Sequence, residues 1–146
     1  MNRATPQMRS LARQLIAFDA SNIEPSASEG GRAFRVVDRL RPHLATLMGD
    51  GGFRALLSRA LVLAKAEVPS LSETSVDANG TLEAPRSQLM AADFPDGRVV
   101  LVAQLLGLLA AFIGPTLASQ IVGEVWPQFP LRDWDFGKEA RSEEAN

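Results

Sequence analysis

His43 is the one imidazole in the chain, and there is no cysteine. Any dyad or triad that needs an imidazole must therefore be built on that residue. Thr46 is the one hydroxyl at helical spacing from it. Asp38 and Asp50 are near in sequence, but neither stands three or four residues away, where helix neighbours meet. The chain has no G-x-S-x-G and no carboxylate cluster of catalytic spacing. His43, following Pro42, reads as a surface or kink residue, and no catalytic residue is expected.

Asp77-Ala78-Asn79-Gly80-Thr81-Leu82 has the look of a calcium loop around its glycine. Aligned on Gly80, the first loop position is Ser75 and the twelfth is Arg86. Calcium requires carboxylates at both, so the segment reads as a hairpin turn. Gly49-Asp50-Gly51-Gly52 could offer backbone N–H groups to an anion. It lacks the Lys and Ser/Thr of a phosphate loop, and Asp50 would repel phosphate. It reads as a helix–helix turn. The lack of cysteine also removes thiolate nucleophiles, disulfides and the common zinc sites. No metal and no cofactor is expected.

Binding chemistry has two candidates. Arg32, Arg35 and Arg39 form a basic stripe, with Arg54 and Arg59 close in sequence, as a surface for phosphate or an acidic partner. The formal charge of −2 conceals this. Residues 1–66 hold ten basic groups against five acids, or +5; residues 67–146 hold five against twelve, or −7. A nucleic-acid reading would take the helix carrying Phe34 to Met48, the turn at Gly49–Gly52 and the helix carrying Phe53 to Val68 as a helix-turn-helix. The second helix is too rich in leucine to lie in a groove, and stacking aromatics are missing. The other candidate is the tail, where Trp134 and Phe136 lie among Asp133 and Asp135 as a docking peptide.

Positioning these groups falls to helices. Thr5-Pro6 is an N-cap followed by Pro, and Met8, Leu11, Leu15 and Phe18 then recur at helical spacing. Residues 23–31 read as a loop. Phe34, Val37, Leu40, Leu44, Leu47 and Met48 form a second apolar stripe. Pro42 lies within it, which predicts a kink or break near Leu40-Arg41. Phe53, Leu56, Leu57, Ala60, Leu61, Ala64 and Val68 make a third stripe, joined to the second by a tight turn at Gly49–Gly52. Residues 70–97 lose the helical period. They read as a short hairpin about Asn79-Gly80, a helical turn around Ser87–Ala92 and a turn at Phe94-Pro95-Asp96-Gly97.

From Val99 to Gly123 no residue is charged. An uncharged run of that length is a membrane candidate. Gly114-Pro115 breaks it, and no Lys/Arg cluster flanks it. It reads as the buried centre of a bundle, not a membrane span. Ala103, Gly107 and Ala111 give it a seam of small residues.

The stretches MGDGGFRALLSRAL (Met48–Leu61) and LVAQLLGLLAAFIG (Leu101–Gly114) together resemble small uncharacterised bacterial helical proteins with no known activity. That resemblance carries no functional residue.

The expected fold is all-α: a single-domain bundle of about five helices over residues 1–127, a hairpin or irregular insert at 70–97, and a partly disordered tail at 128–146. A central helix at 98–114 is expected. The predicted core includes Leu40, Leu44, Phe53, Leu57, Leu61, Leu105, Leu108, Phe112 and Ile121. No secretion signal is apparent, so a cytoplasmic protein is expected. The function expected is a non-catalytic interaction or oligomerisation module, a homodimer or complex subunit. The alternatives are a regulatory nucleic-acid-binding protein and a bundle enclosing a hydrophobic ligand.

Overall fold

A computed structural model describes residues 5–20 and 34–129, apart from Asn79. It is an all-α bundle carrying one two-stranded hairpin. Helix α1 (Pro6–Ala20) starts as the sequence predicts: Thr5 Oγ1 accepts the backbone N–H of Met8 at 3.1 Å. Its buried face is Met8, Leu11, Ala12, Leu15 and Asp19. Helix α2 (Arg35–Glu67) follows, made of two helical arms that meet at a kink at Gly49, then a 3₁₀ turn (Pro69–Leu71). Strands β1 (Ser75–Val76) and β2 (Leu82–Glu83) pair antiparallel, with Ser75 opposite Glu83 and Val76 opposite Leu82. The expected Asn-Gly turn therefore lies between them. After a single turn, α3 (Arg86–Leu89), come α4 (Phe94–Ile113) and α5 (Pro115–Val125).

Helix α4 is the axis. It packs against α2, α1 and α5. Eleven of its twenty residues are buried, nine of them in the run Val99–Leu106 plus Leu109. A helix apolar on every side needs such a position in a bundle. It is also long and apolar enough to cross a membrane by length and composition alone.

Three expectations need correction. The break predicted near Leu40-Arg41 is absent: the helix runs through Pro42, and the non-helical residue is Gly49. Val36, Val37, Leu40 and Leu44 are buried on both sides of the proline. Burial of that stripe outweighs the lost backbone bond, which costs about 3 kcal/mol. Second, Phe94-Pro95-Asp96-Gly97 is not a separate turn but the first turn of α4. Pro95 falls in the first helical positions, where its missing N–H costs nothing. Third, Phe112 is 70% exposed and Leu108 only half-buried. The other seven predicted core residues are buried. Beyond α5, the buried Phe129 meets Phe18 edge-on at 5.4 Å.

Both helix–helix elbows use one device. Gly49 has φ 81° and ψ 161°, and Gly114 has φ 93° and ψ 151°. That corner of backbone space is essentially open to glycine alone. The chain leaves one helix and starts another within a single residue: Gly114 N–H still bonds Ala110 O, and Ala118 N–H bonds Gly114 O.

Candidate functional site

Two arrangements stand out: a charged cluster at one end of α1, and an apolar face at the end of α4.

The cluster centres on Asp19, which is 1% exposed although it is an acid. It continues the buried stripe of α1, four residues after Leu15. Its Oδ1 accepts Nη1 of Arg39 at 2.9 Å and Nε1–H of Trp126 at 2.9 Å. Its Oδ2 lies 2.9 Å from Nε of Arg35. Arg39 also donates Nη2–H to the carbonyl of Val125 at 3.0 Å, and its guanidinium stands 5.4 Å from the centre of the Trp126 ring. A buried carboxylate is tolerable only when such donors satisfy it. Asp19 thereby ties α1, α2 and the end of α5 together. In front of the arginines is an open groove of about 510 Å³, lined by Phe18, Arg35, Arg39, Val125, Trp126, Pro127 and Gln128.

A second acid, Glu67, half-buried as a residue but with its side chain 7% exposed, repeats the pattern on α2. It pairs with Arg9 and accepts Nε2–H of Gln104 at 2.7 Å. Gln104 is the lone polar side chain in the apolar stretch of α4, and this bond accounts for it. The neighbouring groove, about 400 Å³, holds Arg9 and Arg13 against Glu67 and Asp96. Two cations and two carboxylates leave it without net charge.

The apolar face follows from helix geometry. Gly107, Leu108, Ala111 and Phe112 share one side of α4, and this side continues the arc buried at Leu101, Gln104 and Leu105. The bundle covers it early in the helix. Over the last two turns it emerges: Ala111 and Phe112 are exposed, Leu108 and Gly107 half-exposed. A side chain added at Gly107 would meet nothing within 4 Å. Leu117, past the elbow, is also exposed.

The residues singled out from sequence are dispersed. Arg35 and Arg39 meet at Asp19. Arg54 instead donates Nε–H to the carbonyl of Asp77 at 3.0 Å, fastening the hairpin to α2. Arg41 does likewise through Thr81 Oγ1 at 2.7 Å. Arg59 is exposed on α2. Arg32, Trp134 and Phe136 lie outside the described residues. His43 Nδ1 is 3.8 Å from Glu124 Oε1, and both side chains are well exposed. Thr46 does not face it, because its hydroxyl donates to Pro42 O at 2.9 Å. Asp77 is committed to its own turn: Oδ1 accepts Thr81 N–H at 3.0 Å. No group of three or more His, Asp or Glu side chains could hold a metal ion among the described residues.

Sequence reasoning passed over Asp19 and Glu67. The signal was available: each is an acid set on an apolar stripe, after Leu11-Leu15 and Ala60-Ala64. No family model, no curated protein and no solved structure matches the chain.

Proposed function

We propose that the protein is a non-catalytic helical interaction module that pairs with a second copy of itself through the end of α4. The observation that supports this is the 70% exposed Phe112 on a face otherwise built for burial. Two features favour a second copy as the occupant. No residue from Val99 to Gly123 is charged, so an identical face can meet it without desolvating an ion. Gly107 leaves a hollow one and a half turns from Phe112, and in a two-fold contact each ring enters the other copy's hollow. Burying the exposed part of two Phe112 rings contributes about 2–4 kcal/mol. The patch is small beside interfaces of about 1,600 Å², so a micromolar dimer is expected. We place it in the bacterial cytoplasm, as a homodimer or complex subunit. The burial of about half of α4, the one helix among the described residues that is long and apolar enough to cross a membrane, and the resemblance to small bacterial helical proteins support that placement.

Sedimentation velocity of the full chain across a concentration series tests the reading. The expected result is a shift from 15.7 kDa toward twice that mass. Phe112→Asp should hold the chain at the lower mass with Tm unchanged, since the ring is exposed. A wild-type chain that stays monomeric, or a variant that dimerises equally well, overturns the proposal. Co-sedimentation of the monomer with lipid vesicles through Phe112 would assign the face to a membrane and overturn it equally.

A further inference from the structure

We propose that the groove in front of Arg35 and Arg39 is a seat for a small organic carboxylate with an apolar body. The argument is a charge and donor count. Asp19 brings one negative charge to two guanidiniums, so the cluster retains one positive charge. Asp19 is buried: its Oδ1 accepts from Arg39 and the Trp126 indole, and its Oδ2 is ion-paired with Arg35. These oxygens cannot turn out to neutralise the groove. Arg39 is fixed at three points: Asp19, the Val125 carbonyl and the indole face. Arg35 is ion-paired with Asp19, its buried Nε 2.9 Å from Oδ2 without a hydrogen bond between them. Its terminal nitrogens are the planar pair of donors that grips a carboxylate with two parallel bonds. The side chain is 35% exposed and lines the groove, so the guanidinium is accessible to a ligand there.

The remaining walls define the rest of the ligand. Phe18, Val125 and Pro127 are apolar, and Gln128 adds one neutral polar group. The volume of about 510 Å³ suits a small molecule. An apolar wall beside a single cationic fork favours a monoanion with a hydrocarbon body over a phosphate, whose charge would need more donors. The balanced groove at Arg9, Arg13, Glu67 and Asp96 has no such surplus and serves as the internal contrast.

The test is an NMR titration of the ¹⁵N-labelled full chain at fixed ionic strength. It follows the Trp126 indole N–H, which lies directly behind the arginines and is assigned with a Trp134→Phe variant. The probes are hexanoate, acetate and inorganic phosphate. Hexanoate should shift the resonance saturably, and more tightly than acetate because of the apolar wall. Arg35→Gln should weaken hexanoate by about tenfold to a hundredfold, the loss of one charge-assisted fork. Arg35→Lys keeps the charge but not the fork, so it should also weaken binding; it serves as well if the glutamine variant fails to fold. Arg59→Gln should bind as wild type. No saturable shift at tens of millimolar hexanoate overturns the proposal. So does a folded Arg35→Lys variant with wild-type affinity, or phosphate binding as tightly as hexanoate. The dimer reading is untouched by any of these outcomes, because Phe112 takes no part in the groove.

Discussion

Removing the Asp19 carboxylate should be among the more damaging single changes available in this chain. In Asp19→Ala, the Trp126 indole N–H loses its acceptor while the ring stays 2% exposed. An orphaned buried donor costs about 1–3 kcal/mol. Arg35 and Arg39 each lose an ionic partner, but both are about a third exposed and can turn to water. Each such loss is worth about 0.2–1 kcal/mol. The total is about 2–4 kcal/mol, a large fraction of the roughly 5–15 kcal/mol that holds a domain together. For a chain of this size that corresponds to a fall in Tm on the order of 10 °C. Urea unfolding followed by far-ultraviolet circular dichroism reads the loss without relying on tryptophan emission. A double-mutant cycle isolates the indole bond: in a Trp126→Phe background there is no N–H to orphan. There, Asp19→Ala should cost about 1–3 kcal/mol less than in the wild type. An equal cost in both backgrounds would refute the claim that the indole bond drives the penalty. A cost below about 0.5 kcal/mol in the wild type would refute the hub itself, since that is the range of ordinary surface changes.

Gly49→Ala and Gly114→Ala should each destabilise by about 1–3 kcal/mol, although a methyl group meets nothing within 4 Å at either position. Chemical denaturation checks this, and unchanged midpoints would show that the elbows relax without strain. Burial raises the Asp38 carboxyl above its ordinary value, and the nearby Arg41 only partly opposes it. The folded state therefore binds the proton more tightly than the unfolded one, so this group's contribution to stability falls as pH rises between the ordinary and the raised value. Asp38→Asn should accordingly raise Tm at neutral pH, with the gain shrinking as pH drops into the carboxylate range. A gain that grows on acidification would reverse the sign of the argument.

Much of the bundle can be read from sequence because helical period and turn chemistry are local. Met8-Leu11-Leu15 and Phe53-Leu57-Leu61 each mark one side of a helix, and Asn79-Gly80 marks the hairpin between Val76 and Leu82. What was misread depends on the rest of the fold. Pro42 would end an isolated helix, but burial of Val37, Leu40 and Leu44 outweighs it. Phe112 looks like core because the run from Val99 to Gly123 contains no charge to mark a wet side. Where the bundle stops covering α4 is set by how far its neighbours reach, which α4's own residues do not encode.

Asp19 illustrates a different limit. Its partners are 16, 20 and 107 residues away, at Arg35, Arg39 and Trp126, so no window of sequence contains the cluster. Yet the acid breaks the stripe it sits in, and Glu67 does the same on α2. Apolar residues in place of each whole ion group would bury more apolar surface, and such exchanges are often neutral or stabilising. Stability alone therefore does not account for an acid at both places. Placement does. Leucine can pack against many neighbours in many rotations, whereas a carboxylate held by two directed donors and a further ion pair fixes which side of α1 meets α2 and where the chain leaves α5. In Asp19 that fixing has a second effect: it keeps the Arg35 guanidinium ion-paired at the edge of the groove. The same side chain that sets the packing of three helices also holds two positive charges at the groove, Arg39 by a hydrogen bond and Arg35 by an ion pair, and an arginine on α2 without that acid would be free to turn to water.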